Sequence, residues 1–570
     1  MRSTATIRGG SIPSTHLGAV VLLAPALVLL GVFFAYPVFE ILKRTFTDVA
    51  PGQDWLENFA WFFRESSNAE VLLRTLITGL VVTASCLVLG FPFAYAIARA
   101  GRRLRIVLLG LVVISLWQSI VARLFGFLVI LRPSGIVNDA LSALGLGRPE
   151  LLGHTPAVII ALTQVMLPAM ILPVYASLTA IDRRLFLAAR NLGAPPWRAF
   201  TRVYVPLSVP GMMAGGILVF VFALAFYPAP AILGSPSNAL LSQSIVLQID
   251  PAQSFGHAGV LSIVLIAATL IAIAIASRFT RGHLEAASDT GTMLAGARDQ
   301  QEESASTGSL PGRIVLAASV AVGCLFLLAP VVVMTVLSFT GENSYAFPPP
   351  SWSTEWYTTF FTDPAWRDAL VNSLIVAALT VVASLAIGVP AAVALDRFDF
   401  RGKSVVRGLL ILPIIVPLVV FAIGAYRVFL GWGLVGSRVG FVIAHTIFAL
   451  PLVVFAVGVS LSAFDRRLEQ AAQSLGASRL AAFRAVTLPA IAPGIFTAAI
   501  FAFIASFDEL VVALFLSDPL TQTLPVKMFE TLRTVDPTVA ASSTIVLGVT
   551  TAMILLLLIV GGRRGARASI

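Results

Sequence analysis

DRRLFLAARNLGAPPWRAFTRVYVPLSVPG, residues 182–211, returns without a gap as DRRLEQAAQSLGASRLAAFRAVTLPAIAPG, residues 465–494. Fifteen of the thirty positions are identical at a constant offset of 283 residues, where chance supplies roughly two. The same offset relates Leu167-Pro168 to Leu450-Pro451. The chain is therefore an internal repeat, and the two copies fix where its halves correspond. Each copy has apolar residues at helical spacing (Leu185, Leu192, Phe200; Leu468, Leu475, Phe483) among basic and polar ones. A Gly-Ala pair (Gly193-Ala194, Gly476-Ala477) divides the copy into two short helical pieces. Pro206 and Pro210, or Pro489 and Pro493, then turn the chain into the next apolar block.

Those blocks decide the class. Of the 570 residues, 58% are hydrophobic and only 12% charged, about half the charge of a soluble domain. The apolar stretches near 17–42, 71–98, 106–131, 155–180, 209–233 and 258–278, then 313–338, 369–395, 405–430, 438–463, 491–516 and 541–561, are each long enough to cross a bilayer. Their length and aliphatic content favour helices over barrel strands. The expectation is an all-α integral membrane protein of about twelve transmembrane helices, in two homologous six-helix parallel repeats. The first half is 1–280, the polar, Ser/Gly/acid-rich stretch 281–312 is a cytoplasmic linker, and the second half is 313–570. The first block, from about Leu17 to Leu42, is too long for a cleavable signal and reads as a retained span.

Charge gives the orientation. Arginines crowd the segments after the second and fourth blocks of each half, and Arg563, Arg564 and Arg567 follow the last block. All fall on one side if the N-terminus is cytoplasmic, so both termini and the linker are expected inside. The formal charge of +10 then marks inner span ends, not nucleic-acid binding. Cys86 and Cys324 lie inside apolar blocks and the five histidines are scattered, so neither a disulfide framework nor a metal site is expected. The nearest approach to a phosphate-cradling loop, Gly402-Lys403-Ser404, has Arg397 where the leading Gly must stand. The chain binds no nucleotide by this reading.

At this point a resemblance becomes specific. The repeated segments resemble the cytoplasmic coupling motif of permeases of ATP-binding-cassette importers: Glu-Ala-Ala, a Gly four residues on, then Leu-Pro. The first copy reads Leu187-Ala188-Ala189, Gly193 and Val205-Pro206; the second reads Gln470-Ala471-Ala472, Gly476 and Leu488-Pro489. Leu187 and Gln470 stand where the family has Glu. Leu116-Trp117-Gln118-Ser119 with Arg123, and Ala225-Phe226-Tyr227-Pro228, resemble the first permease of spermidine/putrescine-type importers. Phe347-Pro348-Pro349-Pro350, Asn372-Ser373-Leu374 and Ser506-Phe507-Asp508-Glu509-Leu510 resemble the second. The resemblance covers nearly the whole chain and implies the type I importer fold with both permeases fused. It also implies a non-catalytic chain in the bacterial inner membrane, with two copies of a cytoplasmic ATPase that use ATP and Mg, and a periplasmic or extracellular solute-binding protein. Outer loops 43–70 and 339–368 would receive that protein. The favoured solute is a polyamine; relatives that import opines, aminophosphonates or ferric iron are the alternatives.

Five residues are candidates for the solute pathway. Asp508 and Glu509 interrupt the eleventh block, and carboxylates within a span face a cavity or a partner. Asp508 either attracts a cationic solute or pairs with Arg123 or Arg427. Neighbouring helix positions point about 100° apart, so both acids do not serve one ligand. Trp117, Phe226 and Tyr227 are candidates for a wall that holds an ammonium by cation–π attraction, or else pack. Two other classes fit twelve spans less well. An ion-coupled secondary transporter has no use for paired coupling loops, and a membrane enzyme needs a metal set or activated nucleophile that the blocks lack.

Overall fold

The computed structural model describes residues 14–249, 254–291, 310–531 and 534–565. Apart from one isolated bridge between Thr340 and Trp352, regular structure among them is helical. In lipid a backbone must satisfy its own hydrogen bonds, and an apolar run does so by coiling. We number the helices that build the bundle and its repeated loops. The first half has α1 (Leu17–Thr47), α2 (Ser66–Arg99), α3 (Arg102–Trp117), α4 (Ile120–Ile130), α5 (Thr155–Ala180), α6 (Arg183–Asn191), α7 (Trp197–Ala225), α8 (Pro228–Leu233) and α9 (Phe255–Gly291). The second half repeats the order: α10 (Leu310–Leu337), α11 (Pro364–Arg397), α12 (Lys403–Ile415), α13 (Leu418–Gly431), α14 (Arg438–Ser462), α15 (Arg466–Ser474), α16 (Arg479–Phe507), α17 (Val511–Leu516) and α18 (Thr538–Gly565).

Nine of these helices, among the described residues, are long and apolar enough to cross a membrane singly. The blocks at 106–131 and 405–430, expected as straight spans, are bent pairs. α3 meets α4 at 97° and α12 meets α13 at 92°. Pro417 explains the second bend: it carries no N–H and forces Val416 into extended backbone, ψ 129°. The first bend has no proline; Gln118 is extended, Ser119 is non-helical with ψ 127°, and both are buried. With each bent pair taken as one span the count among the described residues is eleven, and α18 adds a shorter apolar helix, Thr538–Met553. α9 runs on to Gly291, into the stretch expected as linker, while residues 292–309 and the termini lie outside the described residues.

Each half is built on three mutually packed helices, α2–α5–α7 and α11–α14–α16. One glycine per half makes the tightest crossing possible. A Cβ at Gly211 would collide with Ser177 on α5, and a Cβ at Gly494, the same repeat position, would collide with Ser460 on α14. The first helix of each half stays outside its own three-helix core. The N-terminal part of α1 packs on α11, α12 and α14 and its C-terminal part on α13 and on α9 of its own half, while α10 packs on α2, α3 and α4 and on α18 of its own half. The halves therefore hold each other by exchanged arms, and one buried apolar core runs through both.

Candidate functional site

The repeated loops fold alike. Asp182 and Asp465 cap their helices by accepting from the amides of Arg184 (2.8 Å) and Arg467 (2.9 Å). Each helix stops at a glycine in the left-handed region, Gly193 with φ +86° and Gly476 with φ +94°, as helix C-termini prefer. The Ala194 amide then bonds the Ala189 carbonyl and the Ala477 amide the Ala472 carbonyl, both at 3.1 Å. The chain re-enters a helix, passes one π-turn (Phe200–Tyr204; Phe483–Thr487), and becomes the long core helix α7 or α16. Ala188, Ala189, Ala471 and Ala472 thus lie in short helices, while Pro206 and Pro489 open the membrane segments behind them.

What these elbows present outward is apolar. Leu192 is 89% exposed and Leu475, its repeat counterpart, 90%. Leu185, Leu187 and Trp197 are exposed on the first elbow, Leu468 and Leu480 on the second. Large apolar side chains held in the open at matched positions mark a surface for a partner. Of the two residues at the family's Glu position, Leu187 and Gln470 are both exposed.

The second elbow nevertheless has a glutamate. Glu469, one residue before Gln470, turns inward and is buried. It forms a two-point ion pair with Arg397 at the end of α11: Nη1 donates to Oε1 at 2.9 Å and Nη2 to Oε2. The Thr487 hydroxyl also donates to Oε2, at 2.6 Å. Burial opposes its charge, but the hydrogen bonds from Arg397 and Thr487 and the nearby Arg397 and Arg466 charges hold its carboxyl below the usual range.

Deeper in the bundle, two sequence candidates, Asp508 and Trp117, meet the boundary between halves. Asp508 ends α16 and accepts from the Ile120 amide at 3.1 Å, capping α4 of the other half. The Ser119 hydroxyl bonds the same carboxylate, and the Arg123 charge acts on it. Of the two pairings weighed for Asp508, neither is a direct ion pair among the described residues, although the Arg123 charge acts on the carboxylate. No contact to Arg427 is found among the described residues. Arg123 is buried, and its Nε and Nη1 have no hydrogen-bond partner among the described residues. Trp117, at the bend of the third span, stacks on Phe501 of α16 with centroids 4.9 Å apart. Trp117 and Asp508 therefore line one seam.

Glu509 does not join them. Its oxygens accept from the Val512 and Ala513 amides, both at 2.8 Å, so it caps α17. His445 Nε2 lies 3.4 Å from it, and His445 Nδ1 meets Ser506 at 2.8 Å. Phe226 and Tyr227 occupy the matching break before α8 in the first half. There the Phe226 carbonyl accepts from Ser242 at 2.8 Å, and Tyr227 is buried. Among the described residues Phe226 makes no ring contact with Trp117, whose stacking partner is Phe501. Sequence reading missed Phe501, His445 and the Arg397–Glu469–Thr487 cluster; an acid beside a motif position and a basic span end 72 residues earlier were its only signals.

Residues 87–285 and 384–563 each match the family described as "binding-protein-dependent transport system inner membrane component". The chain belongs to that family. As an inner membrane component it is a multi-pass protein, and the family matches it twice along the chain. It is 38% identical over 181 residues to the spermidine/putrescine transport system permease protein PotB of Salmonella typhimurium, a match covering 31% of this chain and 63% of that relative's length. It is 33% identical over 246 residues to the putrescine transport system permease protein PotI of Escherichia coli, covering 42% of this chain and 86% of the relative. A solved bacterial ABC transporter involved in the import of the acidic polysaccharide alginate matches 47% of this chain and 95% of its own, at 21% identity and a TM-score of 0.38.

Proposed function

We propose that this chain is the complete translocation path of an ATP-driven importer, with both permeases in one polypeptide, and that its solute is a polyamine such as spermidine or putrescine. One observation carries the machine: two elbows of the same backbone geometry, each holding an exposed leucine at the same repeat position and each continuous with a core helix. Two copies of a cytoplasmic ATPase would each grip one elbow. The arginine-rich segments support an elbow side that is cytoplasmic, with both termini and the linker there. The relatives' names support the solute.

The cycle is alternating access. A solute-binding protein, which the family description implies, docks on the far side against loops 43–70 and 339–368. These carry the short helices Glu57–Arg64 and Glu355–Thr362. Closure of the ATPase pair moves the elbows, and the core helices behind them rock the halves about the seam at Trp117 and Asp508. The chain catalyses no chemistry; ATP and Mg belong to the ATPase. A polyamine entering the seam meets Asp508 already bonded to Ser119 and Ile120, with the Arg123 charge acting on it, so it must displace or share those bonds.

The test is reconstitution into liposomes with the ATPase and the binding protein. ATP-dependent uptake of labelled spermidine or putrescine, absent without the ATPase, is expected. Uptake driven by an ion gradient alone would overturn the machine, and ATP-driven uptake of another solute but no polyamine would overturn the substrate.

A further inference from the structure

An apolar groove runs along α1 where it crosses the other half. It has a volume of about 550 Å³ and lies between one face of α1, from Ala19 to Val32, and Phe400 and Val406 at the start of the next span. We propose that this groove holds one acyl chain of an anionic phospholipid from the elbow-side leaflet, with the lipid's phosphate on Arg401. The site is independent of the solute and of the ATPase.

Depth fixes the leaflet. Arg397 bonds Glu469 and Arg466 bonds Asp396, so the end of α11 sits beside the second elbow. α1 begins at the same level, since a Cβ on Gly18 would lie 3.2 Å from the Phe398 ring. The helical rise from Ala19 to Val32 is about 20 Å, against about 15 Å for half of a bilayer's hydrocarbon core. The groove therefore starts at headgroup level and reaches past the depth of one leaflet.

Its chemistry changes along that path. α1 carries no charged residue from Leu17 to Phe39, and Val20 and Val28 stand exposed. Gly31 leaves the wall open, because a Cβ there would meet nothing within 4 Å. Apolar walls lose dispersion contacts unless hydrocarbon lies against them. Arg401 is the one charged residue among the described lining. The acids around it are already engaged, Asp399 by Lys403 and Asp396 by Arg466, both at 2.8 Å. Arg401 itself is exposed and has no hydrogen-bond or ion-pair partner among the described residues. Its guanidinium offers paired donors that match a phosphate, and basic positions beside spans attract anionic headgroups. A soluble anion would leave the apolar wall uncovered, and a zwitterionic headgroup would bring a cation of its own beside Arg401. Because α1 belongs to one half and α12 to the other, the lipid bridges the two.

The experiment places the full chain in phosphatidylcholine nanodiscs that contain a small share of a photo-crosslinking probe. The probe is either phosphatidylglycerol or phosphatidylcholine with a diazirine in its acyl chain, and adducts are mapped by peptide mass spectrometry. Adducts on residues 19–32 should be about fivefold more frequent with the phosphatidylglycerol probe, the effect of one basic residue near a membrane surface. Arg401→Gln should bring the two probes within about twofold of each other. Arg103→Gln, which removes an exposed arginine at the α2–α3 turn, should leave the preference unchanged. Gly31→Leu fills the groove from its open wall and should cut adducts from both probes, and it carries the test if Arg401→Gln does not fold. Equal adducts from the two probes on the wild type, a preference that survives Arg401→Gln, or adducts unchanged by Gly31→Leu overturn the site. Adducts missing from residues 19–32 mean that protein covers the groove, which overturns it as well.

Discussion

Truncating the exposed elbow leucines gives the sharpest test of the docking surface. Leu192 and Leu475 are 89% and 90% exposed, so almost their whole side chains are available to a partner and almost none to their own fold. Leu→Ala removes three carbons, and burial is worth about 0.8 kcal/mol per methylene. Full burial in an ATPase groove therefore makes each truncation cost roughly 2 kcal/mol. At about 1.4 kcal/mol per factor of ten, that is on the order of a thirtyfold weaker dissociation constant per ATPase subunit. Surface truncations away from packed features change stability by within about 0.5 kcal/mol, so the permease itself should melt normally. The assay is binding of purified ATPase to nanodisc-embedded permease, wild type against Leu192→Ala, Leu475→Ala and the pair. Leu520→Ala serves as control, since Leu520 is 83% exposed and lies in the loop between α17 and α18, away from the elbows. If the elbow variants bind within threefold of wild type, or no worse than the control, the docking surface lies elsewhere.

Three further outcomes follow from the same geometry. Gly193→Val and Gly476→Val meet open space, yet they force a β-branched residue to φ near +90° at a cost of about 1–2 kcal/mol each; weaker ATPase retention and slower uptake are expected, and wild-type values for both would contradict the elbow geometry. Asp508→Asn keeps an acceptor for the Ile120 amide but removes the charge facing Arg123, so uptake should fall at least fivefold with normal membrane expression, whereas wild-type uptake and selectivity would remove Asp508 from the pathway. Glu469 has a carboxyl held below its ordinary value of 4.5, so its ion pair stabilises the fold above about that pH and the contribution fades as pH falls through the lowered native value. The melting difference between wild type and Glu469→Gln should accordingly shrink on acidification; a difference that grows would refute that sign.

The parts of this molecule legible in its sequence are those set by local pattern. The repeat at 182–211 and 465–494, the apolar blocks and the glycine stops of both elbows are one-dimensional signals, and the helices follow them. The bend at Val416-Pro417 carried a proline signal inside an apolar run, but prolines also lie within straight spans here, as Pro168 and Pro173 do within α5. The bend at Gln118-Ser119 had no such mark, because extended backbone there is stabilised by Asp508 from 388 residues away. Glu469 was hidden for a related reason. Motif alignment directs attention to Gln470, while burial and the Arg397 partner are properties of the folded chain. Glu509 misled in the opposite direction: an acid in an apolar block suggests a ligand, yet two backbone amides of the next helix consume both its oxygens.

The exchanged arms have a bearing on why a single polypeptide suits this architecture. Because α1 completes the opposite core and α10 completes the first, neither portion presents a finished lipid-facing wall by itself. Two separately synthesised portions would wait in the bilayer with an open flank, free to close on a second copy of themselves. A covalent tether supplies the right counterpart at high local concentration as soon as it emerges. It secures one-to-one stoichiometry and always pairs the unlike portions.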